Sequence, residues 1–184
     1  MLFRSVSQSR YSGQTQVWAK SFAGSGAGDD WGVDVQLAAS GKVIVAGFVD
    51  ADATAGVSTD FITLGYDAAG ASLFSYNPGG VGDDNARCVA FRPSEEIWAA
   101  GEMSTMSGSI MNKNATLYKI TNSGSATSFS FDGQGDKSDN VKAWFIDAQQ
   151  NVYMAGYSVN RDTDRDFSLV RSIVTGKQIG RAHV

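Results

Sequence analysis

The sequence is poor in the residues that carry most covalent and metal chemistry. It has one cysteine and one histidine in 184 residues. Cys88 stands alone, which excludes an internal disulfide and with it a disulfide framework. There are only two prolines. No apolar run approaches the roughly 18 residues a membrane-spanning helix needs. The opening Met1-Leu2-Phe3-Arg4-Ser5-Val6 lacks the continuous apolar stretch of a secretory signal. Lys and Arg number 15 against 19 Asp and Glu, a net charge of −4. With no basic cluster, that balance argues against a nucleic-acid surface. Glycine, by contrast, is abundant at 21 residues. Gly with Ser, Thr, Asp and Asn between short apolar runs reads as many turns joining many strands.

An internal repeat organises the chain. Gly28-Asp29-Asp30 returns 54 residues on as Gly82-Asp83-Asp84. Val43-Ile44-Val45-Ala46-Gly47 returns at the same shift of 54 as Ile97-Trp98-Ala99-Ala100-Gly101, and Gly70 as Gly124. A third copy follows at a shift of 55, which takes Asp84 to Asp139, Gly101 to Gly156, and Phe74-Ser75-Tyr76 to Phe129-Ser130-Phe131. Asp60-Phe61 matches Asp166-Phe167. Periods of this length indicate stacked supersecondary units. The repeats are assigned to residues 16–71, 72–126 and 127–178, with 1–15 as an N-terminal extension.

Each copy holds four β-like runs; in the first they are residues 18–22, 31–37, 43–48 and 61–66. In the second run Trp31, Val33, Val35 and Leu37 alternate with Gly32, Asp34 and Gln36, the period of a half-buried strand. The third run is continuously apolar, as in a strand buried on both faces. Ala39-Ser40-Gly41 between them signals a hairpin. The Ala-Gly pairs at 46–47, 100–101 and 155–156 are read either as points of close approach between sheets or as strand ends at a turn. No segment has a helical period. The predicted fold is all-β, a partial β-propeller of three consecutive four-stranded antiparallel blades.

The strings Lys20-Ser21-Phe22, Gly28-Asp29-Asp30-Trp31-Gly32-Val33-Asp34-Val35, Ser40-Gly41-Lys42-Val43-Ile44-Val45-Ala46-Gly47, Asp60-Phe61 and Tyr66-Asp67-Ala68-Ala69-Gly70 resemble the SBBP β-propeller repeat. The stretch 40–47 also resembles the related delta-60 repeat. The resemblance covers most of residues 16–176 and implies a secreted or cell-surface protein. It implies an architecture and an interaction role, with no catalytic motif to carry over. The turns Arg92-Pro93-Ser94-Glu95-Glu96 and Ala148-Gln149-Gln150-Asn151 depart from the family's usual Asp-x-x-Gly-Asn type.

Three blades do not close a ring, since propellers carry about 4 to 8. Residues 179–184, Ile-Gly-Arg-Ala-His-Val, resemble a translated sequencing adapter and are read as a non-native tail. The chain is therefore expected to be one piece of a larger ring, its natural neighbours being further blades of the same protein. With His183 in the tail, the repeats have no histidine. That removes Ser-His-Asp, Cys-His and histidine–metal chemistry.

The recurring loop acids are the strongest polar feature: Asp29, Asp30, Asp83, Asp84, Asp136 and Asp139. They are read as turn acids that accept backbone N–H bonds two or three residues on. The competing reading is a ring of carboxylates for calcium or sugar hydroxyls. Asp162, Asp164 and Asp166 alternate as in the opening of a calcium loop, but without the following Gly and distal Glu. No cofactor other than calcium is suggested. Gly24-Ser25-Gly26-Ala27-Gly28 precedes a strand, where a phosphate loop needs a helix. Asn114-Ala115-Thr116 is a glycosylation sequon at a strand start. Cys88 reads as a small buried residue; Trp18, Trp31, Trp98 and Trp144 are of a type that stacks on sugars but read by default as core, with Trp31, aligned with Asn85 and Asn140, at a strand end.

The leading functional reading is a non-enzymatic structural or protein-interaction scaffold. A carbohydrate- or calcium-binding adhesion module is the alternative. A propeller glycosidase or lyase using paired acids is the third. Exposed apolar sheet faces are expected to make the isolated chain poorly stable.

Overall fold

The computed structural model describes residues 6–13, 15–51, 58–133, 137–149, 151–159, 165–172 and 180–182. Among them there are β-strands and turns and no helix. A two-stranded sheet comes first, β1 (Val6–Ser12) and β2 (Thr15–Phe22). Three four-stranded antiparallel meanders follow. The first is β3 (Trp31–Leu37), β4 (Val43–Asp50), β5 (Thr59–Tyr66) and β6 (Ser72–Tyr76). The second is β7 (Asn85–Phe91), β8 (Ile97–Ser107), β9 (Ile110–Ile120) and β10 (Ala126–Phe131). The third is β11 (Asp139–Ile146), β12 (Val152–Val159), β13 (Arg165–Ser172) and β14 (Gly180–Ala182).

The sheets are phased one strand later than the sequence repeats. All four β-like runs of the first repeat are strands, but residues 18–22 lie in β2 and pair with β1. The first meander takes its fourth strand from Ser72–Tyr76 instead. The backbone of residues 180–182 pairs with Leu169–Arg171 as the outer strand of the third sheet.

The hairpin turns repeat in atomic detail. Ala38 N donates to Lys42 O and Gly41 N to Ala38 O; Arg92 N donates to Glu96 O and Glu95 N to Arg92 O. Gly41 takes φ 84° and its counterpart Glu95 takes φ 56°. This left-handed region favours glycine. Glu95 sits there with a compensation: its carboxylate accepts Ser40 N at 3.2 Å and Lys42 Nζ at 3.1 Å, tying the second sheet's turn to the first.

All three four-stranded sheets share a β-bulge at one repeat position. The register shifts between Gly32 and Asp34, between Ala86 and Cys88, and between Val141 and Ala143. The Ala-Gly pairs lie opposite these bulges, in mid-strand. A Cβ at Gly47 would fall 1.9 Å from Trp31 O, at Gly101 2.1 Å from Asn85 O, and at Gly156 1.7 Å from Asn140 O. The glycines thus admit the carbonyl of the neighbouring strand; they mark neither contact between sheets nor a turn. The bulge also breaks the alternation of β3. Trp31 pairs with Phe48 and Val35 with Val45, so the two point to opposite faces.

The central strands are buried on both sides, as the continuous apolar run at 43–48 predicts. Alternate residues serve separate interfaces. Ile44, Ala46 and Phe61 pack with Ala86, Val89, Ile97, Ala99 and Tyr118 between the first and second sheets. Val43, Val45, Ile62, Leu64 and Tyr66 meet Trp18 and Phe22 of the two-stranded sheet. Trp98, Ala100 and Leu117 pack with Val141, Val152 and Met154 between the second and third. The sheets therefore stack in chain order. Among the described residues nothing covers the outer face of the third sheet, where Phe145 and Phe167 are exposed.

Candidate functional site

The recurring acids sit where each linking loop enters the first strand of a sheet. Asp30 accepts Gly24 N at 3.0 Å through Oδ2 and Asp50 N at 2.9 Å through Oδ1. Asp84 accepts Ser104 N through Oδ1, and Ser104 Oγ donates to Asp83 O at 2.7 Å. Asp139 accepts Gly133 N at 2.7 Å. The backbone N–H groups seen to bond to these acids lie 6 or 20 residues away in sequence. Asp30 thus clamps its loop to the far end of β4, Asp84 holds the second strand of its sheet at Ser104, and Asp139 holds its linking loop at Gly133.

Asp84 is fully buried. Burial pushes its carboxyl up to about 6 and nearby Asp60 adds to the rise, against the Ser104 bonds that lower it. Among the described residues its Oδ2 accepts no hydrogen bond, and it lies against Gly80, where a Cβ would fall 1.7 Å away. A carboxyl so enclosed has no path to a substrate. Asp83 is exposed; it accepts Thr59 N at 3.3 Å and faces Lys113 Nζ at 3.7 Å. Asp29 is half-buried in the first loop. Asp136, Asp162 and Asp164 lie outside the described residues. Asp166 is exposed on β13 opposite Ser158. Among the described residues no three or more His, Cys, Asp or Glu side chains gather to hold a metal ion.

The other sequence candidates fall as follows. Cys88 is buried, its thiol raised by burial and directed at Ala100 O. Asn114 is buried in mid-β9, closed to glycosylation, rather than at a strand start. Trp98 is core, stacked on Phe129 with centroids 6.1 Å apart. Trp18 and Trp144 are half-buried. Trp31 departs from the expected core role: it is exposed and stacks on Phe48.

Three features escaped the sequence reading. Arg87, the bulge residue of the second sheet, holds the buried Glu102 through Nε to both carboxylate oxygens at 3.2 Å and Nη2 at 2.8 Å. In the third sheet the equivalent pair is Lys142 above the Tyr157 ring, 5.6 Å from its centroid. Asp34 bridges sheets by accepting Val89 N at 2.9 Å. The third feature is a cleft of about 730 Å³ between β1 and β3, lined by Gln8, Arg10, Trp18, Asp34, Val35 and Leu37 among others. The equal spacing of Arg87 and Lys142 was a usable signal for the bulge cation. The cleft had none, because it depends on how β1 and β2 sit.

No family model matches the chain, and no curated protein matches it. Among the described residues no helix is long and apolar enough to cross a membrane.

Proposed function

We propose that the three four-stranded sheets are consecutive blades of a β-propeller and that the chain is a non-enzymatic structural or protein-interaction scaffold. One observation carries this reading. The two interfaces between four-stranded sheets are built from the same repeat positions, with the same bulge and the same glycine in each sheet. Such a stack grows by repetition and presents its loops at common edges, where ligands of repeat proteins are met. The resemblance of 20–70 to the SBBP repeat points the same way and adds a surface or secreted setting. Acids used as backbone clamps support a scaffold over a calcium or glycosidase site.

Two experiments test it. Two copies of the chain joined in tandem should form a disc with a central channel under the electron microscope; an open, straight stack refutes the propeller. Calcium at millimolar concentration should leave the melting midpoint unchanged, because a ligand that binds only the folded state raises it. A rise of several degrees favours the adhesion module instead.

A further inference from the structure

We infer that the cleft between β1 and β3 is a docking site for a β-hairpin of this repeat's own inner-strand type, such as a further repeat of the same protein carries. The inference rests on the stacked-sheet reading above and adds a partner to it.

The repeat itself shows what is missing from the cleft. Val89 of β7 is wholly buried, packed with Ile44 and Ala46 of the preceding sheet, and Phe91 packs beside it. One repeat earlier the same two positions are Val35 and Leu37. They are 59% and 65% exposed and line the cleft. The two-stranded sheet covers only part of this face, over the cluster of Val43, Val45, Ile62, Leu64 and Tyr66, and leaves Val35 and Leu37 exposed. By repeat position β2 corresponds to β6 and β1 to β5, the outer half of a four-stranded sheet. The outer half is therefore already present as β1 and β2, and the inner hairpin is the half left to supply.

Two further observations fit a strand rather than a small molecule. Among the described residues β1 pairs only with β2, so its other edge is open to main-chain pairing. Gln8, on β1 and in the cleft lining, is 8% exposed, and among the described residues neither of its amide atoms has a hydrogen-bond partner. A buried amide left unpaired is costly, and an added strand supplies polar groups beside it. The occupant is thus a two-stranded antiparallel segment. It offers Ile44- and Ala46-type residues to Val35 and Leu37 and one strand edge to β1.

The test uses a dye-labelled synthetic peptide of residues 31–50, the chain's own inner hairpin, with binding to the full chain read by fluorescence anisotropy. Saturable binding is expected. Leu37→Asp and Val35→Asp, at exposed positions, should each weaken it at least tenfold, and Gln8→Leu by a smaller factor. Phe167→Asp, on the opposite end of the stack, should leave it unchanged. A peptide carrying Ile44→Asp should fail to compete. Near-ultraviolet circular dichroism and a cooperative melt report separately that the sheets are stacked in each variant. With those intact, absence of binding, or equal binding to Leu37→Asp, overturns the docking site alone. Loss of the dichroism in the unsubstituted chain counts against the stacked-sheet reading instead. Self-association abolished by Leu37→Asp and retained by Phe167→Asp assigns the cleft to a second copy and overturns the hairpin.

Discussion

Asp84 joins a structural role to a titration in the weakly acidic range. Its folded-state carboxyl is raised to about 6 from 3.8 by burial. The folded protein therefore holds this proton more tightly than the unfolded chain. Acidification from pH 6 toward 4 favours folding at this site, and the advantage is lost as pH rises back through 6. The difference of roughly two pH units corresponds to about 3 kcal/mol. Asp84→Asn keeps an acceptor for Ser104 N and removes the charge. The stability of the variant minus that of the parent should therefore grow between pH 4 and 6 and level off above, as read by denaturant titrations across that range. A flat difference contradicts the assignment. Glycine supplies a second contrast. Gly101→Ala would drive a Cβ to 2.1 Å from the Asn85 carbonyl, so two paired strands must part. A cost of about 3 kcal/mol or more is expected. Gly108 has φ 62° and no heavy atom within 4 Å of a built Cβ. Gly108→Ala should cost only the left-handed backbone penalty of about 1–2 kcal/mol. Urea midpoints of the two variants decide whether contact or φ sets the scale.

At the level of the element, like residues at like repeat positions meet unlike surroundings. Phe61 is 0% exposed between two sheets, and Phe167, its counterpart, is 71% exposed on the open face of the third. Phe61→Ala should cost about 3–5 kcal/mol. Phe167→Ala should stay within about 0.5 kcal/mol. Equal losses in the folded monomer would mean that Phe167 is covered as Phe61 is. The sequence reading reached the strands because period-two alternation and continuous apolar runs are local signals. β4 is the clearest case. It placed the acids in one recurrent loop and took them for backbone acceptors, which Asp30, Asp84 and Asp139 are. It could not find their donors. A carboxylate that bonds to Gly24 and Asp50 is set by loop closure, and no spacing rule expresses that. It also could not see that β3 turns over at its bulge. Trp31 and Val35 keep the alternation in sequence and lose it in space.

Over the whole molecule, both ends of the stack present apolar surface, and surfaces of that kind drive association. Phe145 and Phe167 share the outer face of the third sheet through their pairing with Tyr153 and Tyr157. Phe167→Asp should therefore raise the concentration at which the chain associates, measured by sedimentation velocity, without lowering its melting midpoint. An unchanged threshold would place the contact elsewhere. The doubly buried central strands have one more effect on the stack. In a one-sided sheet, a slip of one residue exposes the core and corrects itself. In β4 such a slip trades Ile44 and Ala46 for Val43 and Val45, apolar for apolar, and changes two interfaces together. Hydrophobicity cannot detect the error. The glycine opposite the bulge can, because any other residue brought against the Trp31 carbonyl would carry a Cβ. Gly47, Gly101 and Gly156 thus act as proofreading marks for strand alignment, one for each four-stranded sheet.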